Sequence, residues 1–157
     1  MTERDIDITI AVENDAHLVA ALTARGFAEY ASVLDPPSGV FSESLEDVRS
    51  SIRAGAAVAR IAGVPAGAVR WEPRGNYLYA GRLATVPECR LQGVASALMA
   101  FVENRARQLG VSAVQVEVRS ALPGNIAFFE KRGFSVVSID PHPRDPSQTS
   151  VTMRKDI

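Results

Sequence analysis

The chain has few of the residues that build disulfides, metal sites and nucleic-acid-binding surfaces. One cysteine and two histidines in 157 residues exclude an intrachain disulfide and offer no metal-ligand spacing. Basic and acidic residues nearly balance, at 17 and 18, and no basic run occurs, which argues against nucleic acid as a partner. No apolar stretch approaches the roughly 20 residues that span a bilayer, and the first ten residues lack the apolar core of a signal peptide. We therefore expect a cytoplasmic protein that binds neither metal, nucleic acid nor membrane.

What remains is the composition of an ordinary globular domain. Hydrophobic residues make up 46% of the chain and charged residues 22%, as in typical soluble proteins. This length predicts a single domain, residues 1–157, with a sizeable core. The patterns follow the order β-α-α-β-β-β-α-β-α-β-β. Three consecutive strands favour antiparallel hairpins, and the long helix after them favours one parallel crossover.

Periodicity and turn residues set the expected boundaries of these elements. The first half contains a strand Ile6–Ile10, a helix from an Asn14–Asp15 cap to a stop at Gly26, and a helix that a Ser44–Asp47 capping pair opens and Gly55 closes. Strands follow over Ala56–Ile61, 66–72 and Tyr77–Thr85, then a helix from Gly93 to Gly110 and a strand over 111–118. A helix over 125–132, ended by Gly133, precedes strands over 135–139 and 150–154, which a proline-rich loop over 140–148 joins.

The segment 90–96, with the sequence R-L-Q-G-V-A-S, joins a strand to a helix. The first amides of a helix have no internal partner and lie at the positive end of its dipole, so this junction suits a phosphate or pyrophosphate. Gly93, expected in the first helical turn, removes a Cβ where a ligand would approach. Ala95 keeps the mouth of the site narrow, and no acidic side chain interrupts the segment. The alternative is a helix start with a packing glycine.

Two segments together resemble the GNAT family of N-acetyltransferases. In the first, residues 83–95, a strand ends in L-A-T-V-P and the sequence R-L-Q-G-V-A follows. The second, residues 125–134, reads N-I-A-F-F-E-K-R-G-F. The resemblance implies the GNAT fold, an α/β (α+β) architecture: a mixed, mostly antiparallel sheet of about seven strands and about four helices, with one parallel β-α-β crossover at the acetyl-CoA site.

The resemblance also implies which residues bind acetyl-CoA. The pyrophosphate would lie on the segment Arg90, Leu91, Gln92, Gly93, Val94, Ala95 and Ser96. Pantetheine would pair with an open strand edge at Ala84, Thr85 and Val86, where Pro87 ends the pairing because it has no N–H. Asn125 and Phe128 of the second motif would complete the cofactor site. For Asn125, a simple helix N-cap remains the alternative.

Two residues are candidates for the chemistry. Glu117 lies in V-E-V-R, similar to the L-E-V-R segment of ribosomal-protein N-terminal acetyltransferases, in which a glutamate acts as general base; the alternative is a solvated strand residue beside Arg119. Tyr79 falls on the same strand face as Leu83 and Thr85 when residues are counted in twos. It would line the acceptor channel or hold an ordered water.

Position 129 departs from the family, since a phenylalanine stands where the family tyrosine protonates the CoA thiolate. Three explanations remain open. Water or another hydroxyl, such as that of Ser120, substitutes for the tyrosine. A thiolate, whose conjugate thiol has a pKa near 8.5, leaves unaided. Or the domain binds CoA without catalysis.

The sequence therefore favours an acetyl-CoA-dependent N-acetyltransferase, in which a primary amine of a small molecule or peptide attacks the thioester directly. The alternative is a non-catalytic CoA or acyl-CoA sensor. A nucleotide-binding α/β domain is weakened because neither glycine-rich phosphate motif occurs. His142, in the proline-rich loop, lies where acceptor sites of the family often occur. The sequence does not identify the acceptor and leaves a homodimer open.

Overall fold

The structure, a computed structural model, describes residues 5–157. This part of the chain contains seven strands and four α-helices. They run in the order β1 (Ile6–Ile10), α1 (Ala16–Phe27), α2 (Leu45–Ala54), β2 (Ala56–Ile61), β3 (Val64–Arg74), β4 (Tyr77–Thr85), α3 (Val94–Leu109), β5 (Ala113–Arg119), α4 (Pro123–Lys131), β6 (Ser135–His142) and β7 (Asp145–Asp156). The predicted order of strands and helices is confirmed. Within this range no helix is long and apolar enough to cross a membrane.

All seven strands form one sheet with the order β1-β2-β3-β4-β5-β7-β6. Every neighbouring pair is antiparallel except β4 and β5, which the α3 crossover joins in parallel. The predicted mixed sheet with a single parallel crossover is confirmed. The parallel pair lies in the middle of the sheet, where α3 packs on one face of both strands and α1 packs on the other face of β4.

The helices divide the core into two layers. On one face of the sheet, Leu98, Met99 and Val102 of α3 pack with strand residues such as Leu78 and Val114. The other face carries α1 and α2, whose buried residues include Val19, Leu22, Val48 and Ile52. This division decides which side of the sheet each site residue occupies.

The predicted capping pair of α2 is confirmed, but the predicted stop of α1 is wrong. Asp47 donates its backbone N–H to the Ser44 hydroxyl over 3.1 Å, and its carboxylate accepts the Ser44 N–H over 2.9 Å. Gly26, by contrast, lies inside α1, which ends at Phe27. A Cβ at Gly26 would come within 2.7 Å of the Ala84 Cβ. The glycine therefore permits close packing of α1 on β4 instead of ending the helix.

The proline-rich segment 140–148 is a strand hairpin, so the predicted loop is wrong. Strands β6 and β7 extend through it and leave only a tight turn at Pro143 and Arg144. Pro141 pairs with Thr149 on the outermost strand of the sheet. A proline is tolerated on an edge strand because no further strand requires its N–H.

A bulge in β4 overturns the prediction that Tyr79 shares a face with Leu83 and Thr85. Between the pairs Ala68–Ala84 and Arg70–Gly81, β4 holds one residue more than β3. The change occurs beside Arg82, whose φ is +52°. One extra residue reverses the alternation of side chains. Tyr79 therefore lies on the α1 side of the sheet, whereas Leu83 and Thr85 lie on the α3 side.

Candidate active site

A cleft of about 1020 Å³ opens where β4 and β5 separate. The two strands pair from Tyr77–Ala113 to Ala80–Val116 and no further. Residues 81–85 of β4 and 117–119 of β5 therefore form the two sides of a fork. The volume is at the upper end of the range for small-molecule sites. The separation of the two parallel strands thus creates this concavity.

The loop before α3 presents six consecutive backbone N–H groups that lack a protein acceptor in the described residues. These are the amides from Leu91 to Ser96; the first helical bond runs from Ala97 N–H to Gly93 C=O. Leu91 and Gly93 have φ values of +60° and +84°. Successive N–H groups with left-handed residues among them form anion-binding concavities. The geometry therefore fits a pyrophosphate on main-chain donors.

Gly93 is the N-cap of α3 and not a residue of its first turn, so that prediction is corrected. A Cβ at this position would have only Ile6 Cδ1 near it, at 3.9 Å. The left-handed backbone, rather than crowding by the protein, is what requires glycine here.

Arg90 anchors this loop to the end of α1. Its guanidinium forms an ion pair with Glu29 over 2.8 Å and donates to the Gly26 carbonyl over 3.1 Å. A weaker contact at 3.5 Å reaches the Thr85 carbonyl. Since the side chain is already satisfied by protein groups, Arg90 is suited to hold the loop in place. Because its charge is already paired with Glu29, Arg90 would support phosphate binding by positioning the loop rather than by its own charge.

The open edge of β4 is narrower than the sequence predicts. Val86 donates its N–H to the Ala66 carbonyl over 2.9 Å, and its side chain is buried. The backbone of Val86 therefore faces β3, which contradicts its predicted place on the edge. Because neighbouring residues of a strand point their backbone groups to opposite sides, Thr85 faces the fork and Ala84 faces β3.

Most of the predicted site residues nevertheless lie around one cleft. Those that line it are Tyr79, Ala84, Thr85, Arg90, Leu91, Gly93, Val94, Ala95, Ser96, Glu117, Asn125 and Phe128. Val86 and Gln92 do not line it; the Gln92 side chain donates to the Glu88 carbonyl over 3.3 Å. His142 lines its far end.

Asn125 contacts a phenol that the sequence analysis did not identify. It is the third residue of α4, whose N-cap is Leu122, so the capping alternative for Asn125 is wrong. Its amide Nδ2 and Oδ1 atoms lie 3.3 Å and 3.4 Å from the hydroxyl oxygen of Tyr30. Tyr30 comes from the short 3-10 turn after α1 and also lines the cleft.

Phe129 lies one helical turn beyond Asn125 and is nearly buried in an aromatic cluster. Its ring meets Phe128 at 5.1 Å and Phe134 at 5.4 Å, both edge to face. Ser120, the hydroxyl suggested from sequence, accepts a hydrogen bond of 2.6 Å from Thr149 and is not among the residues that line the cleft. The Tyr30 phenol is therefore better placed than Ser120 to replace the missing tyrosine.

Glu117 and Tyr79 lie on the same face of the sheet. Tyr79 pairs with Gln115 in β5, two residues before Glu117. Burial raises the pKa of the Tyr79 phenol, and the negative charge of Glu117 raises it further, against the opposing charges of Arg74 and Arg82. The Arg74 guanidinium lies 3.9 Å from the centre of the Tyr79 ring. The phenol therefore stays protonated at neutral pH and can donate a hydrogen bond but not accept a proton as a base.

A buried ion pair that the sequence did not reveal supports the wall beside these residues. Arg70, only 5% exposed, donates to Glu43 over 2.7 Å and to the Thr23 hydroxyl over 3.3 Å. Glu43 also lies 3.7 Å from Arg82. The network ties the segment before α2, helix α1 and strands β3 and β4 together, and so stabilises this wall of the cleft.

Comparison with known proteins agrees with this geometry. The model of the Acetyltransferase (GNAT) family matches residues 27–134, whereas a search of curated proteins finds no match. Among solved structures, Ard1 from Thermoplasma volcanium has a TM-score of 0.80 at 20% identity, with 97% of each chain covered. PaiA N-acetyltransferase from Thermoplasma acidophilum, in complex with coenzyme A, has a TM-score of 0.80 at 18% identity, with 98% of this chain and 99% of that chain covered. Ribosomal-protein-alanine N-acetyltransferase from Brucella melitensis has a TM-score of 0.74 at 16% identity, with 96% of this chain and 99% of that chain covered. At these low identities, the TM-scores show a shared fold.

Proposed function

Because this chain belongs to the GNAT acetyltransferase family, whose cosubstrate is acetyl-CoA, we propose that residues 1–157 form one acetyltransferase domain that acetylates a primary amine of a small molecule or peptide. The observation that carries the proposal is the joining of two features in one cleft. Unpartnered amides from Leu91 to Ser96 lie at one end, and the Glu117 carboxylate lies at the other. An anion cradle suits the pyrophosphate of acetyl-CoA, and a proton acceptor suits the deprotonation of the attacking amine.

The cofactor end fits acetyl-CoA through main-chain groups. The loop amides would hold the pyrophosphate, and Thr85 would offer its backbone to pantetheine on the open edge. Arg90 would act as a positioning residue, since its guanidinium is held by Glu29 and the Gly26 carbonyl. Acetyl-CoA supplies the activated thioester when it is bound.

Glu117 would take the proton that an ammonium must lose before its nitrogen can attack. Tyr79, protonated at neutral pH, would line the path of the amine and hold it or an ordered water by a hydrogen bond. In the balanced reaction, the ammonium first loses one proton to Glu117, and a C–N bond then forms as the C–S bond breaks. The leaving thiolate receives a proton from a hydroxyl. The nitrogen gives its second proton to solvent, and solvent returns a proton to that hydroxyl.

The Tyr30 phenol is our candidate for that hydroxyl. Asn125 contacts the hydroxyl oxygen of Tyr30, and Asn125 itself lies one helical turn before Phe129 on α4. Positions four apart on a helix lie on one face, so Asn125 brings a phenol from the turn after α1 to the side of α4 on which the family tyrosine would lie. The chain would thus keep the chemical group while changing the element that provides it.

Two measurements test the proposal. Acetyl-CoA at millimolar concentration should raise the melting temperature, because a ligand that binds only the native state stabilises it. Free thiol should then appear when a panel of amines is added. Binding without thiol release from any amine would favour the CoA or acyl-CoA sensor, and no thermal shift would contradict the cofactor site itself.

A further inference from the structure

Two arginines at the acceptor end of the cleft have backbone partners but no carboxylate partner. Arg119 ends β5, and Arg144 lies in the turn between β6 and β7. Arg119 donates to the Pro36 carbonyl over 2.8 Å, and Arg144 to the Pro37 carbonyl over 2.6 Å. Across residues 5–157, neither guanidinium has a carboxylate oxygen within 4.0 Å. Both side chains line the same cleft as Glu117.

Each of the other cleft arginines lies within 4.0 Å of a carboxylate oxygen, although two of them share one carboxylate. Arg70 and Arg82 share Glu43, Arg74 is paired with Glu72, and Arg90 with Glu29. A guanidinium that is already paired gains little from a further anion, whereas one held only by carbonyls retains its charge and several free donors. Among the cleft arginines of the described residues, Arg119 and Arg144 are therefore the two without a carboxylate contact, which makes them the best suited to an anionic ligand.

The local field around these two side chains is positive. Burial lowers the pKa of Arg119, and the nearby charge of Arg144 lowers it further, while Asp35 and Asp145 act weakly in the opposite direction. Asp145 already accepts two hydrogen bonds from Ser147, at 2.7 and 3.1 Å. Burial, Arg119 and Arg144 also lower the pKa of His142, with opposing effects from Glu117 and Asp145. The neutral form of His142 is thus favoured, and the positive charge at this end of the cleft comes from the two arginines.

Glu117 and Arg119 provide opposite charges at a short, fixed spacing. They are two residues apart on β5 and share the face opposite the buried Val116 and Val118. Two residues of a strand span about 6.5 Å. A small molecule with a cationic and an anionic end would match this spacing, with its amine toward Glu117.

We propose that the acceptor is a small amino acid, whose carboxylate binds Arg119 and Arg144 while its amine is directed to Glu117. The inference rests on the proposed acetyltransferase function and narrows it. An N-terminal residue of a protein has its carboxyl group in a peptide bond, so it would leave both guanidinium groups without a partner. An amine that carries no acidic group would also leave both guanidinium groups without a partner.

The test compares amino acids with their own carboxamides, using thiol release from acetyl-CoA. Arg144→Gln is the main variant because Arg144 is exposed, and Arg119→Gln is the second. Arg107→Gln, an exposed arginine in the last turn of α3, is the control. We expect the KM for the preferred amino acid to rise at least about tenfold in Arg144→Gln, as the loss of a charge-assisted pair predicts. The KM for the carboxamide should not change.

Equal use of acid and carboxamide by the unmodified protein, or equal effects of the variant on both, would overturn the inference.

Calorimetric titration of the amino acids, with CoA present, separates this proposal from the enzymatic one. Turnover of neutral amines or peptides without a preference for a carboxylate would keep the acetyltransferase and reject the amino-acid subsite. If no amine gives turnover, the acetyltransferase proposal fails. The subsite then stands if an amino acid binds the unmodified protein but not Arg144→Gln, and falls if binding is absent or equal in both.

Discussion

The two ends of the cleft are built in different ways. At the cofactor end, one continuous loop supplies six main-chain amides, and the side chains around it serve mainly to hold that loop. At the acceptor end, side chains from four separate segments converge: Tyr79 from β4, Glu117 and Arg119 from β5, Arg144 from the last hairpin, and Tyr30 from the turn after α1. A backbone site depends on local conformation, whereas a side-chain site depends on the whole fold. Variants at the two ends should therefore fail in different ways.

The largest effect is expected at the acceptor end, from Glu117→Gln. The substitution keeps the shape of the side chain but removes the base, so turnover should fall by about 100-fold, the lower end of general-base effects. Affinity for CoA should remain unchanged, because the substitution alters none of the loop amides. The pH–rate profile should also lose its acidic limb. Thiol release across a pH series and calorimetry with CoA measure the two quantities.

Glu130→Gln, an exposed position on α4, is the matched control and should behave as the unmodified protein. An unaltered pH profile in Glu117→Gln would remove Glu117 from the mechanism and leave solvent to take the proton.

The next effect tests the cofactor end through Gly93→Val. A β-branched residue resists the left-handed conformation that the loop requires, so CoA affinity should fall by about tenfold as the amides move out of line. Gly110→Val is a closely matched control, because both glycines flank α3 in the left-handed conformation. Gly110 caps the other end of α3 at a φ of +74°, and a Cβ there would meet nothing within 4 Å. Both variants should lose about 1–2 kcal/mol of stability, but only Gly93→Val should lose CoA affinity.

If affinity persists in Gly93→Val while stability falls, the glycine serves folding alone. Gly93→Asn sharpens the result, because asparagine tolerates the left-handed conformation. Retained affinity in this variant would show that backbone conformation, and not close approach of the ligand, is what glycine provides.

The same contrast explains which features the sequence could predict. The loop 90–96 could be read directly because its function depends on local conformation and a short motif. The face of Tyr79 was predicted wrongly because counting residues in twos ignores the bulge at Arg82. The adjacent Gly81 was the available signal, since a glycine inside a strand often marks a bulge. Tyr30 and Arg144 were missed for another reason: they reach the cleft from segments 95 and 25 positions away from Asn125 and Arg119 respectively. The prolines of the segment 140–148 led to the prediction of a loop, although edge strands such as β6 tolerate proline.

A smaller effect is expected when the candidate proton donor is removed. Tyr30→Phe should lower turnover by about fivefold, since a thiolate whose conjugate thiol has a pKa near 8.5 leaves with little help. CoA affinity should change little. Tyr77→Phe is the matched control, because Tyr77 lies at the start of β4 and is not among the cleft residues. A rate equal to that of the unmodified protein would exclude Tyr30 as the donor.

The smallest effect is expected from Phe129→Tyr, which restores the hydroxyl of the family motif. With Tyr30 present, the new phenol duplicates an existing donor, so the rate of thiol release should change less than about threefold. The hydroxyl would enter an aromatic cluster of Phe128 and Phe134, and an unpaired group there costs about 1–3 kcal/mol of stability. In the Tyr30→Phe background, however, the same substitution should recover the lost activity, because either phenol can then serve the same sulfur. Recovery in the double variant, measured by thiol release beside the unfolding midpoint, would show that the acceptor end has moved its acid from α4 to the turn after α1. A large gain from Phe129→Tyr alone would instead show that Tyr30 protonates nothing and that proton donation limits the natural protein.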